Sequence, residues 1–420
     1  MADDQGGADD RGWRQDTLDH HTRLSGPLSE CPLVSGNRVT LLEDAQSAIC
    51  AIFDAVEAAR DHVHMEYYTS EDVVLGGRSL FSLLEARARS GIEVALIWDA
   101  IGSADTPDAQ FARLRGAGVR LLEYHSVNPL RRTFDFSVND RDHRKLTVVD
   151  GAIGFLGGVN MSKAYETPAS AGQGPEPNAA FWIDNAIRIE GPAVAEIQLL
   201  FFKTWRDRGN SRPGRGAGDD LPMRGGPQDA PTPTPSQGTQ TLRVAGSAPR
   251  QRRPLYNVSI CAAIEGARRH ILLATGYFVP TRREWRLLAD AARRGVAVDL
   301  LLAGYSDVPA ATHAARAIYG GLLRAGVRVH EVHRGVLHAK VATIDGVWTA
   351  IGSSNFDRRS VYYNNEIDAI VLGHETAASI EAMLRNEIAL AHAVSLREWE
   401  SRSLRERAAE LSTRLWKQLI

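Results

Sequence analysis

The 420-residue chain has little cysteine, little lysine, little net charge and no long apolar run. Its three cysteines, Cys31, Cys50 and Cys261, are too few for a disulfide framework, and Cys50 and Cys261 fall in apolar helical patterns where a buried thiol is expected. No apolar stretch approaches the ~20 residues of a membrane span. The opening MADDQGGADDRGWRQD is acidic and polar, without the basic start and apolar run of a signal peptide. These absences lead to the expectation of a cytoplasmic protein. A formal net charge of -2 argues against a chain built mainly to coat nucleic acid. Of 49 basic residues only Lys145, Lys163, Lys203, Lys340 and Lys417 are lysine. Where arginine has been taken almost everywhere else, a retained lysine points to a need for a compact ammonium.

What is present is a repeat. DHRKLTVVDGAIGFLGGVN at 142 returns as LHAKVATIDGVWTAIGSSN at 337, both fitting H-x-K-x4-D-x6-G-x2-N. The flanks repeat as well: HVHMEYY at 62 with HILLATGYF at 270, GAGVRLLEYH at 116 with RAGVRVHEVH at 324, and WIDNAIRIEG at 182 with NNEIDAIVLG at 364. The length also favours two domains. Short β-branched runs alternate with longer helical patterns, which predicts two α/β sandwich units with mixed sheets. Residues 1–36 read as a polar tail, 37–206 as the first unit, 207–240 as a Gly/Pro-rich linker, 241–395 as the second unit and 396–420 as an amphipathic helix. That last helix would carry Leu404, Ala408, Leu411, Leu415 and Leu419 on one face. The insert KAYETPASAGQGPEPNAA at 163 reads as poorly ordered.

His143 and Lys145 are two apart in a strand-like run and so face the same way. Asp150-Gly151 predicts a two-residue hairpin turn that sets Lys145 opposite Leu156 and His143 opposite Gly158, with Asn160 one step beyond. Asp345-Gly346 does the same for His338, Lys340, Ser353 and Asn355. Asp150 and Asp345 are then structural residues at turn tips. Gly157 and Gly158, with Gly352 in the second copy, would leave the backbone bare for a ligand, and Ser353, standing where the first copy has Gly158, would offer a hydroxyl donor to phosphate from one half only. The carboxylates that hold the imidazoles must come from elsewhere, and Asp184 and Glu366 occupy matching repeat positions. Histidine, lysine and an Asn amide together can grip a phosphate, and two histidines on opposite sides of one phosphorus can divide a displacement into two steps through a phosphohistidine. Such a site forms between the two units and calls for no metal; intervening lysines and missing cysteine ligands argue against zinc. Tyr67, Tyr68, Tyr277 and Phe278 follow matching strand-like runs, and two readings stand equally: lining an acyl or head-group channel, or packing in the core. The same equipment serves phospholipid hydrolysis or nuclease chemistry, and a non-catalytic binding module is the remaining alternative.

The duplicated motif resembles the phospholipase D superfamily. DHRKLTVVDGAIGFLGGVNMSKAY, WIDNAIRIEGPAVAEIQLLFFKTW, YFVP at 277 and SSNFDRRSVYYNNEID at 353 are similar to bacterial cardiolipin synthases, especially the short form without N-terminal membrane spans. The resemblance runs from about residue 37 to the C-terminus and implies two tandem domains related by a pseudo-two-fold axis. It implies transfer of a phosphatidyl group from phosphatidylglycerol to a second lipid's head-group hydroxyl. His143 would be the nucleophile, His338 the general acid and then base, and Lys145, Lys340, Asn160 and Asn355 the phosphate holders. Asp184 would support His338 and Glu366 would support His143, each across the domain boundary. The implied partners are anionic phospholipids, phosphatidylglycerol first and phosphatidylethanolamine as a further candidate, without nucleic acid and without a cofactor. The implied location is peripheral, at the inner membrane. Arg131-Arg132, Arg250 with Arg252-Arg253, Arg282-Arg283 and Arg358-Arg359 could attract anionic head groups.

Overall fold

The computed structural model describes residues 31–126, 139–167, 181–209, 223–225, 234–251 and 254–402, with Thr17 and Thr22. Seven principal strands build the first half: β1 (Val34–Leu42), β2 (His62–Tyr67), β3 (Glu93–Asp99), β4 (Arg120–Tyr124), β5 (Lys145–Val149), β6 (Ile153–Gly157) and β7 (Ala186–Glu190). They recur in the same order as β8 (Gln240–Ser247), β9 (His270–Thr275), β10 (Ala297–Ala303), β11 (Arg328–Val332), β12 (Lys340–Ile344), β13 (Trp348–Gly352) and β14 (Asn364–Leu372), followed by β15 (His392–Val394). The helices repeat too: α1 (Ala45–Ala58), α2 (Leu80–Arg89), α3 (Asp108–Gly116) and α4 (Val194–Gly209), then α5 (Leu255–Gly266), α6 (Arg282–Arg293), α7 (Pro309–Arg324) and α8 (His374–Ala389).

Both halves belong to one continuous mixed sheet, in the order β15-β11-β10-β9-β12-β13-β14-β8-β1-β7-β6-β5-β2-β3-β4. Within each half three outer strands, β2–β4 and β9–β11, run parallel, the hairpins between them and the centre run antiparallel, and β15 adds antiparallel to the outer edge at β11. β1 and β8 meet antiparallel at the centre, pairing Val34 with Leu242 and Asn37 with Gln240. An antiparallel central pair is what a two-fold relation between the halves requires, since the axis must pass between equivalent strands.

Period-two alternation sorts each strand between two cores. On β9, Ile271 and Leu273 join the outer core under α5–α7, and Leu272 and Ala274 join a central core. The first half has its own outer core, under α1–α3, built on Ile52, Phe53, Phe81 and Leu114. The central core is common to both halves. Ile197 and Phe201 of α4 share it with Ile380 and Leu384 of α8, together with Leu146 and Val148 of one sheet half and Val341 and Ile351 of the other. The halves are therefore joined by buried apolar surface as well as by chain.

Three boundaries differ from the sequence reading. β1 begins at Val34, inside the expected polar tail, because Val34 pairs with Leu242. The linker is anchored at Met223–Gly225: Met223 is buried in the central core, and the Arg224 N–H donates to Glu93 Oε1 at 3.0 Å. Of the expected C-terminal helix, Leu396–Glu400 is helical, with Trp399 packed 5.0 Å from Tyr319, and residues 403–420 lie outside the described residues. Cys31 and Cys261 are buried thiols and Cys50 is half-buried. No helix among the described residues is long and apolar enough to cross a membrane.

Candidate active site

The two Asp-Gly turns set the frame. Asp150 and Gly151 have φ of 54° and 63°, Asp345 and Gly346 54° and 64°, the left-handed pair a type I′ turn demands. Asp150 accepts hydrogen bonds from the N–H groups of Arg60, Asp61 and His62, and Asp345 from those of Arg268, Arg269 and His270. Each carboxylate thereby ties its hairpin to the start of the neighbouring parallel strand. The register differs by one from the expected pairing. Val149 pairs with Ile153 and Leu146, not Lys145, with Leu156, because Ala152 is an additional turn residue. Ile344 pairs with Trp348 in the same way. His143 and His338 precede the ladder, so neither faces Gly158 or Ser353.

What holds the histidines is a pair of short parallel bridges between the halves. Arg141–Asp142 pairs with Asn364–Asn365, and Val336–Leu337 pairs with Trp182–Ile183. The His143 N–H donates to Asn365 O at 3.0 Å, and the His338 N–H to Ile183 O at 2.8 Å. Each bridge sets a motif histidine beside the residue that follows the partner's paired dipeptide, Glu366 after Asn364–Asn365 or Asp184 after Trp182–Ile183. His143 Nδ1 lies 3.0 and 3.1 Å from the two Glu366 oxygens, and His338 Nδ1 lies 2.6 Å from Asp184 Oδ2. With Nδ1–H turned to a carboxylate, the lone pair sits on Nε2 in both rings.

The remaining motif residues follow the same symmetry. Lys145 Nζ donates to His143 O at 2.7 Å, and Lys340 Nζ donates to His338 O. Asn160 Oδ1 accepts from Thr69 N at 3.3 Å and Asn355 Oδ1 from Tyr277 N at 3.4 Å, which orients both amides with the oxygen toward the backbone. All eight of these His, Lys, Asn, Asp and Glu side chains are buried. Burial, then Lys145, Lys340 and His338, holds His143 well below the ordinary imidazole value, so the four groups act on one another in a single site. Burial and the other lysine push Lys145 down to about 7; burial brings Lys340 to about 8. Two ammonium groups at the edge of losing their protons make a place for an anion.

The carboxylates differ. Burial pushes Glu366 up to about 7, against Lys145 and hydrogen bonds from Ser353 and Asn364. Burial also acts on Asp184, but His338, Lys340 and a hydrogen bond from Tyr165 outweigh it and hold that carboxyl below its ordinary value. Asp142, buried near Glu66 and Arg144, and Asp368, bonded to Ser354, are further buried carboxyls pushed up to about 6 and about 8 by desolvation.

Several expected substrate contacts are contacts within the protein instead. A Cβ at Gly157 would fall 2.5 Å from Asn185 O, and one at Gly352 2.3 Å from Ile367 O; both glycines admit a neighbouring strand, not a ligand. A Cβ at Gly158 would fall 2.1 Å from Asp184 Oδ1. Ser353 Oγ donates to Glu366 Oε2 at 2.5 Å and accepts from Ile367 N at 2.9 Å, so its hydroxyl serves the carboxylate. Tyr67 is buried in the outer core, with its hydroxyl 2.8 Å from Thr147 Oγ1, and Phe278 is buried against Phe356. The residue next to Tyr67 takes the expected position: the Tyr68 ring meets His143 edge-on at 5.2 Å and lies 5.4 Å from Lys145 Nζ. Tyr277 does border the site, 6.4 Å from His338, with its hydroxyl donating to Asp307. Trp182, 4.9 Å from His338, and Tyr165 were not singled out from sequence. Tyr165 lies five residues after Asn160, as Ser360 lies five after Asn355, and that spacing was the available signal. Among the described residues no cluster of three or more His, Cys, Asp or Glu is disposed to hold a metal ion.

Residues 260–388 match the family described as "Cardiolipin synthase, PLD-like domain". Cardiolipin synthase A of Pseudomonas fluorescens is 33% identical over 378 residues, covering 90% of this chain and 74% of that protein. The cardiolipin synthase of Geobacillus kaustophilus is 29% identical over 399 residues, covering 95% and 75%. In fold the chain is similar to the crystal structure of phosphatidylserine synthase from Haemophilus influenzae, with a TM-score of 0.68, 12% identity, and coverage of 95% and 96%. Two interlocked HxK half-sites on a duplicated sheet, with this extent of similarity, make the chain a member of the cardiolipin synthase family of the phospholipase D superfamily.

Proposed function

We propose that the enzyme transfers a phosphatidyl group from phosphatidylglycerol to the head-group hydroxyl of a second phospholipid, through a covalent adduct on His143. The observation that carries the reading is the crossed pairing, with each imidazole oriented by a carboxylate of the opposite half. His143 Nε2 attacks phosphorus, and the bond from phosphorus to the departing glycerol oxygen breaks. Its electron pair stays on that oxygen, which takes a proton from His338. The acceptor alcohol then gives its proton to His338 as its oxygen bonds to phosphorus, and the phosphorus–nitrogen bond breaks back to His143. Lys145, Lys340 and the Asn160 and Asn355 amides hold the phosphoryl oxygens.

The unequal carboxylates support this division of roles. A carboxylate near 7 can take up the Nδ1 proton as the Nε2–phosphorus bond forms, which suits Glu366 behind a nucleophile. A carboxylate held ionised stabilises an imidazolium, which suits Asp184 behind an acid. The entering phosphodiester adds the negative charge that restores the proton on His338.

Contact with an anionic lipid surface belongs to the same proposal. Ile101, Val308 and Tyr362 are exposed apolar side chains beside the site: Ile101 adjoins Gly102, which packs on Tyr68, Val308 adjoins the Asp307 held by Tyr277, and Tyr362 carries the Arg358 guanidinium 5.7 Å above its ring. Arg282 and Arg358 are exposed close by, whereas Arg250 is paired with Asp140. Arg131, Arg132, Arg252 and Arg253 lie outside the described residues. The protein would sit peripherally on the cytoplasmic face of the inner membrane.

The test is incubation of the full chain with phosphatidylglycerol vesicles, with and without phosphatidylethanolamine, followed by mass spectrometry of the lipids. Cardiolipin formation that is lost in His143→Ala and His338→Ala is expected. Phosphatidic acid without cardiolipin would replace transfer by hydrolysis, and unchanged lipid alongside cleaved DNA in a parallel sample would overturn the substrate.

A further inference from the structure

Asp184 has a partner that no motif position supplies. The Tyr165 hydroxyl donates to Asp184 Oδ2 at 2.8 Å, the same oxygen that receives His338 Nδ1, and its oxygen lies 3.3 Å from that nitrogen. The three groups close a triangle. Tyr165 is 1% exposed, its ring meets Trp182 edge-on at 5.9 Å, and Trp182 in turn packs on the His338 ring. It stands on the single helical turn Lys163–Tyr165, held by the Ser162 side chain at its start. Burial and the adjacent Asp184 charge keep the phenol protonated, so it can donate but not accept a proton from Asp184. Among the described residues no phenol hydrogen-bonds Glu366 in this way. Ser360 occupies the equivalent place and hydrogen-bonds both the Asn355 N–H and Glu366, and Glu366 additionally receives Ser353 and Asn364.

We infer that Tyr165 is a positioning residue for the proton donor: it pins Asp184 as an oriented carboxylate, and through Asp184 it keeps His338 aimed at the leaving-group oxygen. The inference rests on the transfer mechanism above. Asp184 Oδ1 is already occupied by the Asn185 N–H at 2.9 Å. Without the phenol, Oδ2 would be steered by His338 alone, and Oδ2 and the imidazole could swing together about the Oδ1 bond to the Asn185 N–H. With the phenol, rotation of the carboxylate breaks a second bond, so the imidazole keeps one direction through both steps. Tyr165 itself touches no reacting atom.

The experiment compares two donors in the full chain. One is phosphatidylglycerol, whose glycerol must be protonated to leave. The other is the same phosphatidyl group esterified to p-nitrophenol, whose phenolate leaves without a proton. Tyr165→Phe keeps the ring and removes the hydroxyl. Its first-turnover rate is expected to fall roughly 10- to 100-fold with phosphatidylglycerol, as for loss of one hydrogen bond to a charged group, and to stay within about twofold with the nitrophenyl donor. Equal slowing on both donors would overturn the inference, and so would no slowing on either. The double variant Tyr165→Phe/Asp184→Asn should be no slower than Asp184→Asn alone, since Tyr165 acts through that carboxylate; additive losses would also sink the idea. Thermal unfolding of each variant separates loss of fold from loss of positioning. Turnover surviving in His143→Ala would mark failure of the underlying mechanism instead.

Discussion

The two half-sites share a backbone and differ in what surrounds the carboxylate. Both histidines are seated by a two-residue parallel bridge, both lysines bond back to the histidine carbonyl, and both asparagines accept from the loop after the first parallel strand. Behind His338 stands a short carboxylate with a phenol, against a glycine that makes room for it. Behind His143 stands a longer carboxylate with a serine and an asparagine amide. Next to His143 lies Arg144, buried, whose guanidinium reaches Glu66, Thr204, Leu200 O, Ser247 O and Glu366 O; the equivalent Ala339 packs in the central core. The comparison teaches that symmetry fixes where the imidazoles are, and departures from symmetry fix what each can do.

The largest expected effect comes from the carboxylates themselves. Asp184→Asn should lower turnover about 10³-fold, because a carboxylate held below its ordinary value is lost, and Glu366→Gln only about tenfold, because that group, pushed up to about 7, is already partly protonated near pH 7. Equal losses in steady-state assays on phosphatidylglycerol vesicles would erase the proposed distinction.

Arg144→Ala should destabilise the fold by about 3–5 kcal/mol, as expected when a buried charge network loses one member. Urea unfolding would measure it, and a loss below about 1 kcal/mol would show that the network holds nothing together. Exchanging the small residues sharpens the contrast further. Gly158→Ser should cost about 100-fold in turnover, since its Cβ would drive Asp184 away, whereas Ser353→Gly leaves space and should cost less than about tenfold. A mild Gly158→Ser variant would mean that the close approach at Asp184 is not needed.

The smallest effect is in the pH profile of kcat/KM, which reports groups of the free enzyme. Below about 7 Glu366 gains a proton, so activity falls as pH falls. Above about 7 for Lys145 and about 8 for Lys340 the ammonium charges are lost, so activity falls again as pH rises. A narrow bell is expected, its limbs belonging to the coupled cluster and not to single residues. Its acid limb should level off about tenfold down and vanish in Glu366→Gln. An acid limb unchanged in that variant would assign it elsewhere.

Much of this site could be read from sequence because duplication supplies its own control. His143 and His338, Lys145 and Lys340, and Asn160 and Asn355 stand at one spacing in two contexts, and Asp184 and Glu366 share a repeat position outside the motif. Side-chain direction near the ladder was harder, because strand periodicity is two and one residue changes the face. Ala152 in the turn shifts the hairpin by one, and the same sensitivity puts Tyr67 in the core and Tyr68 beside His143. Glycine has two uses that composition cannot separate, access for a ligand and access for the protein's own neighbours; Gly157, Gly158 and Gly352 serve the second. Tyr165 was hidden for another reason: it sits in an insert rich in Gly, Pro and Ala, where one buried aromatic residue leaves no periodic trace.

The antiparallel meeting of β1 with β8 has a consequence for how such a protein can change over time. A dimer of identical single halves, joined along that same edge, would have two equal half-sites, and any substitution in one would appear in the other. Joining the halves in one chain lifts that constraint. Aspartate can stand on one side and glutamate on the other, phenol opposite serine, arginine opposite alanine, each adjusted without disturbing its twin. The proposed division of labour between the two imidazoles is one that a single chain permits and a dimer of identical halves does not, and it would rest on the asymmetries around Asp184 and Glu366.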